Sequence, residues 1–417
     1  MADVVDHVAE RVFRPRVDPA VGIELEWLTH DRSDPLRRPT LDELQAIIAA
    51  AEPRLAHRGR LTVEPGGQLE LSTRPQIGTA AACRAAAGDL YTLERECARQ
   101  GIDLVALGAD PVRRPCRIVT EARYDAMQQH FDRTGPDGVA MMCNTAGLQL
   151  NVGVGDDATL LARWRLARAM VPFLVASFAN SPFGEGGGPS GWCSTRLRHW
   201  WAIDPTRTAP VPADGHPVDS WVAYALAANT MLIRSDDGRW TGLDEPMPFA
   251  KWLVEGHELG WPTDDDLAYH LTTLFPPVRP RGWLELRLFD ALPTPFWHVA
   301  TAVTVALLDD AEASAAAQAA VAGTEDRWVA AAKTGLADPV LAGAARRCFA
   351  AAADALARAD ADDGVRAVVD RYRDRFIERG RCPADDLVDT HRRTGALLPR
   401  PESPLPLDEL DLDAAWR

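Results

Sequence analysis

With 417 residues, 47% of them hydrophobic and 25% charged, the chain has the balance of a soluble globular enzyme, enough for about two to three domains or one large one. A net charge of −15 argues against long-range attraction to nucleic acid or anionic lipid, and it requires that any anionic substrate be met by arginines or metal ions. No apolar run reaches the roughly 18 residues of a membrane span, and the first fifteen residues carry acids and no apolar stretch, so a cytoplasmic protein without a secretory signal is expected.

Two residue types exclude further classes. The only lysines are Lys251 and Lys333, and neither stands in a Gly-rich GKS or GKT loop, which removes a P-loop nucleotide site. The seven cysteines form no CxxC pair, so zinc-ribbon and thioredoxin readings fail and reduced thiols are expected.

In chain order, residues 21–28 (VGIELEWL) alternate apolar and polar as a half-buried strand does. Thr40-Leu-Asp-Glu43 is a capping-box signature opening a helix to about His57. Residues 61–64 and 68–73 read as strands around Pro65-Gly66-Gly67, Thr79 caps a helix to Gln100, and 102–108 is an apolar strand. A helix at 120–133, a strand at 146–154 and one long helix at 157–179 follow, then a Gly/Pro-rich loop and an arginine- and tryptophan-rich loop to Thr208. Helical segments near 217–231 and 264–275 precede the strand 283–289. From about Pro295 Ala-rich helical spacing takes over, at 297–321, 326–336, 339–359 and 363–379. The expected division is a sheet-containing part over 1–294, a helical part over 295–397 packed on it, and an extended tail over 398–417. Strands with one polar face suit an antiparallel sheet in an α+β architecture.

Residues two apart on a strand share a face. Glu24 and Glu26 oppose Ile23, Leu25 and Trp27; Gln68, Glu70 and Ser72 oppose Leu69 and Leu71, with Glu64 across the turn. Gln149 and Asn151 oppose Leu148 and Leu150, and Glu285 and Arg287 oppose Leu284, Leu286 and Leu288. Side chains two apart lie roughly 6.5–7 Å apart, so such carboxylates can hold neighbouring cations, and oxygen-only donors suit Mg²⁺ or Mn²⁺ rather than zinc. The same pattern also fits solvated faces of ordinary strands, although Glu is poorly suited to strand interiors. His270 and Met141-Met142 are read as packing residues.

The strings GIELEW, EPGGQLELS, MMCNTAGLQLNV, NSPFGEG, STRLRHWWAIDPTRT and HLTTLFPPVRPRGWLELR, from about Val21 to Asp290, resemble in kind and order the motifs of plant-type glutamate–cysteine ligases. The resemblance implies a glutamine-synthetase-like fold, a curved antiparallel sheet with outer helices, and ATP-dependent ligation of glutamate to cysteine with Mg²⁺ or Mn²⁺. It implies Glu24, Glu26, Glu64, Glu70 and Glu285 as the metal-facing carboxylates, with Arg287 at the transferring phosphate and Glu285 beside it in the catalytic set. Arg196, Trp200 and Arg207 match the loop handling substrate carboxylates and phosphates, and Thr145, Gln149 and Asn151 stand where the third strand faces substrate or ATP. The small residues after Thr145 depart from the pattern in the glutamate pocket, and the doubled Trp200-Trp201 leaves open which indole faces the site. Partners implied are glutamate, cysteine and ATP, with no nucleic acid or membrane and no statement on oligomeric state. A γ-glutamyl ligase using another amine, and a non-catalytic nucleotide- or metal-binding relative, remain as alternatives.

Overall fold

The computed structural model describes residues 19–212, 215–234, 239–243, 245–359, 361 and 363–399, together with residues 8, 10, 12 and 13. The tail expected over 398–417 lies outside the described residues apart from Leu398 and Pro399.

The N-terminal half opens with β1 (Ala20–Asp31), α1 (Leu41–Ala51), β2 (Arg60–Val63), β3 (Leu69–Ser72), β4 (Gln76–Ile77), α2 (Thr79–Arg99) and β5 (Ile102–Val105). There follow α3 (Ala122–Asp132), α4 (Asp137–Asn144), β6 (Gly147–Val152), α5 (Leu160–Ala169), α6 (Val171–Phe178), α7 (Thr195–Ile203) and α8 (Pro205–Thr208). Next come α9 (Pro217–Ala227), the hairpin β7 (Leu232–Arg234) and β8 (Trp240–Gly242), α10 (Phe249–Glu255), α11 (Asp264–Thr272), β9 (Val278–Pro280) and β10 (Leu284–Asp290). The remainder is helical: α12 (Phe296–Asp309), α13 (Ala311–Val321), α14 (Trp328–Thr334), α15 (Pro339–Arg358), α16 (Asp363–Tyr372) and α17 (Pro383–Thr394).

One antiparallel sheet runs β2-β3-β1-β6-β10-β9, and β4 and β5 pair with further stretches of the long β1. Its apolar face is the one the alternation marks: Ile23, Leu25, Leu71, Leu148, Leu150 and Leu286 are all buried. Each such side chain contributes about 1.5–3 kcal/mol on burial. Helices α1 and α2 pack beneath β1 and β2, and α6 and α12 beneath β10 and β6, which leaves the opposite, Glu-bearing face uncovered by this layer. The helices after Pro295 share one continuous core with the sheet. No helix among the described residues is long and apolar enough to cross a membrane.

Several element boundaries differ from expectation for local reasons. The Thr40–Glu43 capping box is present, but α1 ends at Ala51 and passes into a 3-10 turn containing Pro53. Gly78, not Thr79, caps α2. The long helix expected over 157–179 is two, because Pro172 has no N–H to continue the ladder of α5. The stretch after Ser194, read as a loop, is the helix α7, with the Ser194 hydroxyl accepting from the Leu197 N–H as its N-cap.

Strand β10 carries an irregularity. Leu286 pairs with Leu150, yet the next pairs are Phe289 with Leu148 and Asp290 with Gly147. Arg287 and Leu288 thus both stand opposite Gln149, a β-bulge that reverses the parity of the strand. Beyond it Asp290, an even-numbered residue, shares the face of Gly147, Gln149 and Glu285.

Candidate active site

Register assembles the polar face. Glu26 lies directly opposite Glu70, Glu24 lies between Ser72 and Gln149, and Asn151 lies between Gly22 and Glu285. Glu64 is brought alongside by a tight turn in which the Gly67 N–H donates to the Glu64 carbonyl and the Glu64 N–H to the Gln68 carbonyl. The turn presses so closely on α4 that a Cβ at Gly66 would lie 1.9 Å from the Cys143 carbonyl oxygen, which only glycine avoids.

The amides of β6 wire this face. Gln149 donates from Nε2 to Glu26 Oε1 at 3.0 Å and accepts from Arg287 Nη1 at Oε1. Asn151 donates from Nδ2 to Glu24 Oε1 at 2.9 Å and accepts from the Trp283 indole at 2.7 Å. Glu26 also accepts the Gly147 N–H at 2.7 Å, and Glu70 accepts the hydroxyls of Ser72 and Thr62.

The carboxylates repel one another. Burial and the charges of Glu70 and Glu285 raise the Glu24 carboxyl to about 7. Burial, with Glu70 and Glu26, raises Glu64 to about 8. Burial also raises Glu26, and burial with the Glu26 charge raises Glu70. Four half-buried carboxylates thus face only a few arginines, a surplus of hard oxygen donors that fits a divalent cation. Among the described residues no three His, Cys, Asp or Glu side chains are already closed around one point, so the fit rests on donor chemistry and charge.

Glu285 is placed differently from the other four. Burial disfavours its charge, but Arg279 and Arg287 hold it well below the usual carboxylate range. Arg279 grips it through Nε and Nη2, Arg281 lies 3.2 Å away and Arg287 3.3 Å away. Sequence reasoning missed Arg279 and Arg281, which stand in the HLTTLFPPVRPR string ahead of the strand.

Opposite the carboxylates lies a cationic, aromatic wall. The guanidiniums of Arg196 and Arg287 both lie over the Trp200 ring, each 5.3 Å from its centroid, and Phe275 stands edge-on to it. Trp201 instead packs against Trp328 of α14, so Trp200 is the indole on the site. Arg196 is buried and sits where a side chain at residue 147 would be, since a Cβ there would lie 2.6 Å from Nη2. That is the physical reason for the small residues after Thr145. Arg196 Nε and Nη1, Arg287 Nε and Trp200 Nε1 are buried with no hydrogen-bond partner among the described residues. Unpartnered buried donors cost about 1–3 kcal/mol each, and their convergence marks an anion site.

Two expected site residues are spent elsewhere. Arg207 is wholly buried and uses its guanidinium on Asp204, on the carbonyl and hydroxyl of Thr273 and on the Asn229 carbonyl. Its fork is occupied by the protein interior, and a substrate role would require it to give up these contacts. The Thr145 hydroxyl donates to the Met141 carbonyl at 2.7 Å and closes the end of α4, again a structural contact. Arg207→Met should therefore lower stability by roughly 3–5 kcal/mol, leaving the buried Asp204 without its arginine and held by Thr206 and His130, with KM values of the surviving enzyme near wild type. Thermal melts and steady-state kinetics check both halves. His270 is the packed residue expected, hydrogen-bonded to the Ala225 carbonyl and stacked on Phe249. Beyond these, Arg123 and Tyr124 of α3 face Glu64 electrostatically, a contribution from a segment carrying no legible motif.

A curved antiparallel sheet with acids on one face, arginines at its rim and helices behind defines a class of ligase folds. Over nearly its whole length, residues 20–402, the chain matches the model of Glutamate-cysteine ligase family 2, and it belongs to that family. It is 42% identical over 375 residues to "Glutamate--cysteine ligase EgtA" of Mycolicibacterium smegmatis, covering 88% of this chain and 86% of the relative. The corresponding protein of Mycobacterium tuberculosis is 41% identical over 379 residues, covering 88% and 85%. The chloroplastic glutamate–cysteine ligase of Brassica juncea is 32% identical over 243 residues, 56% of this chain and 46% of that one. Two solved structures share the fold. The glutamate–cysteine ligase of Francisella tularensis in complex with AMP matches with a TM-score of 0.51 and 13% identity, over 91% of this chain and 86% of that one. A bifunctional glutathione synthetase of Pasteurella multocida matches with a TM-score of 0.55 and 14% identity, over 91% and 50%.

Proposed function

We propose that the protein is a glutamate–cysteine ligase that joins the γ-carboxylate of L-glutamate to the amine of L-cysteine at the expense of ATP, the first step of low-molecular-weight thiol biosynthesis. The observation that carries this is the pairing of four mutually repelling carboxylates with unpartnered arginine donors on one sheet face, in a chain of this family. In the first step a γ-carboxylate oxygen attacks the γ-phosphorus of ATP, and the bond to the bridging oxygen breaks to release ADP. In the second the cysteine nitrogen attacks the acyl carbon of γ-glutamyl phosphate, phosphate leaves, and the amine proton passes to a carboxylate of the face.

Each side chain has a part. Arg287, anchored by Gln149 and stacked on Trp200, donates to the transferring phosphoryl oxygens as charge builds on them. Arg196, which also lies over the indole, holds a substrate carboxylate with its unpartnered Nε and Nη1. Glu24, Glu26, Glu64 and Glu70 would hold Mg²⁺ or Mn²⁺, and Glu285 would join them by releasing Arg287. Bound cations would neutralise the triphosphate and lower the barrier to phosphoryl transfer. We assign residues 1–294 to this catalysis and residues 295–397 to bracing it, the latter supported by the Trp201–Trp328 contact and by the Ala332 carbonyl, which accepts the N–H groups of Cys193 and Ser194 ahead of α7.

The test is ADP release by the purified protein. It should require Mg²⁺ or Mn²⁺, glutamate and cysteine together, and fall to background when any one is left out. Serine and 2-aminobutyrate in place of cysteine probe the amine pocket. Strong preference for an unrelated amine would make the protein a different γ-glutamyl ligase, and no amine-dependent ADP at all would make it a non-catalytic relative.

A further inference from the structure

Asp290 is buried at the end of β10, and its two oxygens satisfy three donors from the segment that leads into α7. Oδ2 accepts the Asn180 N–H and the Ser181 hydroxyl, each at 2.7 Å, and Oδ1 accepts the Ser194 hydroxyl at 2.7 Å. The same two hydroxyl oxygens then face the helix. Ser181 Oγ accepts the Arg196 N–H at 3.2 Å, and Ser194 Oγ accepts the Leu197 N–H at 3.2 Å. A carboxylate only accepts, so both serines must donate to it and keep their lone pairs for the first turn of α7. An amide at residue 290 would present donors to one of them, turn that hydroxyl round and make its oxygen accept twice, so that the direction in which it meets the helix N–H is no longer fixed.

Precision matters here because Arg196 has little room. Its guanidinium lies against the bare Cα of Gly147, the residue paired with Asp290, and its other main-chain tie is Nη2 to the Arg287 carbonyl at 3.2 Å. Asp290 itself is wedged, since a Cβ on Gly108 would fall 2.4 Å from its carboxyl carbon.

We propose that Asp290 is the positioning residue for Arg196: by fixing the direction of the Ser181 and Ser194 hydroxyls it seats α7 so that the open Arg196 fork meets an amino-acid carboxylate. This rests on the ligase reading for the identity of that carboxylate as glutamate's. The charge of Asp290 works in the opposite sense, because a nearby negative group weakens binding of an anion. The sign of the effect therefore separates the two roles.

The experiment measures L-glutamate binding by calorimetry, and glutamate, ATP and cysteine KM and kcat, for wild type, Asp290→Asn, Arg196→Gln and the double variant. Positioning predicts that Asp290→Asn weakens glutamate binding about tenfold or more, the scale of a charge-assisted hydrogen bond. The ATP KM should stay within about twofold, far below that tenfold step, and in the Arg196→Gln background Asp290→Asn should add nothing. Tighter or unchanged glutamate binding, an equal loss for ATP, or additive effects would each overturn the proposal. Should Asp290→Asn fail to fold, Ser181→Ala removes both the donor to Asp290 Oδ2 and the acceptor of the Arg196 N–H while leaving the Ser194 tie in place, and it should weaken glutamate about twofold to tenfold; no change would count against. Wild-type protein that neither binds nor turns over glutamate would instead overturn the ligase reading itself.

Discussion

Arg287→Lys is expected to lower kcat by roughly 10²–10³-fold, the loss typical of one transition-state donor, while the KM for glutamate changes little. Lysine keeps the positive charge, so the ground-state field from the carboxylates is still met. It loses the planar fork that reaches Gln149 Oε1 and lies over both Trp200 and Phe275. An interaction that strengthens only as charge develops on the phosphoryl group shows in kcat. Arg196→Lys, by contrast, should raise the glutamate KM, because its open Nε and Nη1 serve a carboxylate whose charge does not change during the reaction. Steady-state kinetics against each substrate separates them. An Arg287→Lys enzyme altered only in a KM, or an Arg196→Lys enzyme altered only in kcat, would reverse the two roles.

Glu64→Gln is expected to abolish turnover and, in metal-free protein at pH 8, to raise the melting temperature. The physical cause is burial, reinforced by the neighbouring carboxylates, which together lift Glu64 to about 8 and Glu24 to about 7. Both values lie above those of the unfolded chain, near 4.5. At these two carboxyls the folded protein therefore binds more protons than the unfolded one between pH 4.5 and 8, and their contribution to stability falls as pH rises through that window. Each tenfold difference in proton affinity between the two states costs at most about 1.4 kcal/mol, before solvent screening reduces it. Melts in EDTA from pH 5.5 to 8.5 should show the decline in wild type and a shallower one in Glu64→Gln, and excess Mg²⁺ should flatten the wild-type curve. Wild-type and Glu64→Gln curves of equal slope in EDTA would show that Glu64 is not held above its usual range.

Period-two alternation is a local property, and what it reaches is what proved legible. It puts Glu24 with Glu26, Gln149 with Asn151, and Glu285 with Arg287, each pair on one face, and the motif strings carry the family. It cannot supply register, so the wiring of Gln149 to Glu26 and of Asn151 to Glu24 emerges only once β1 and β6 are paired. Nor can it say where a side chain is spent: the partners of Arg207 lie 22 and 66 residues along the chain, and those of Glu285 include Arg279 on a strand of only three residues. That Arg207 is engaged within the interior is invisible in the sequence for that reason. The long helix expected over 157–179 fails at Pro172, a residue visible in the sequence whose effect on the ladder outweighs the apolar run around it.

The bulge at Arg287 and Leu288 makes distance along the chain part of the chemistry. From Glu285 to Arg287 the polar face advances by two residues, and from Arg287 to Asp290 by three. The extra residue lets one strand serve two clients: it points a cation at the phosphoryl group and then, three positions on, an acceptor at the helix that holds the second cation. Pairing the strand residue for residue across the bulge would leave every functional side chain in the sequence and restore an unbroken ladder, yet three positions of strict alternation from Arg287 would turn the Asp290 carboxylate into the leucine layer beneath the sheet. The bulge between Arg287 and Asp290 is thus as much a component of the site as either charge.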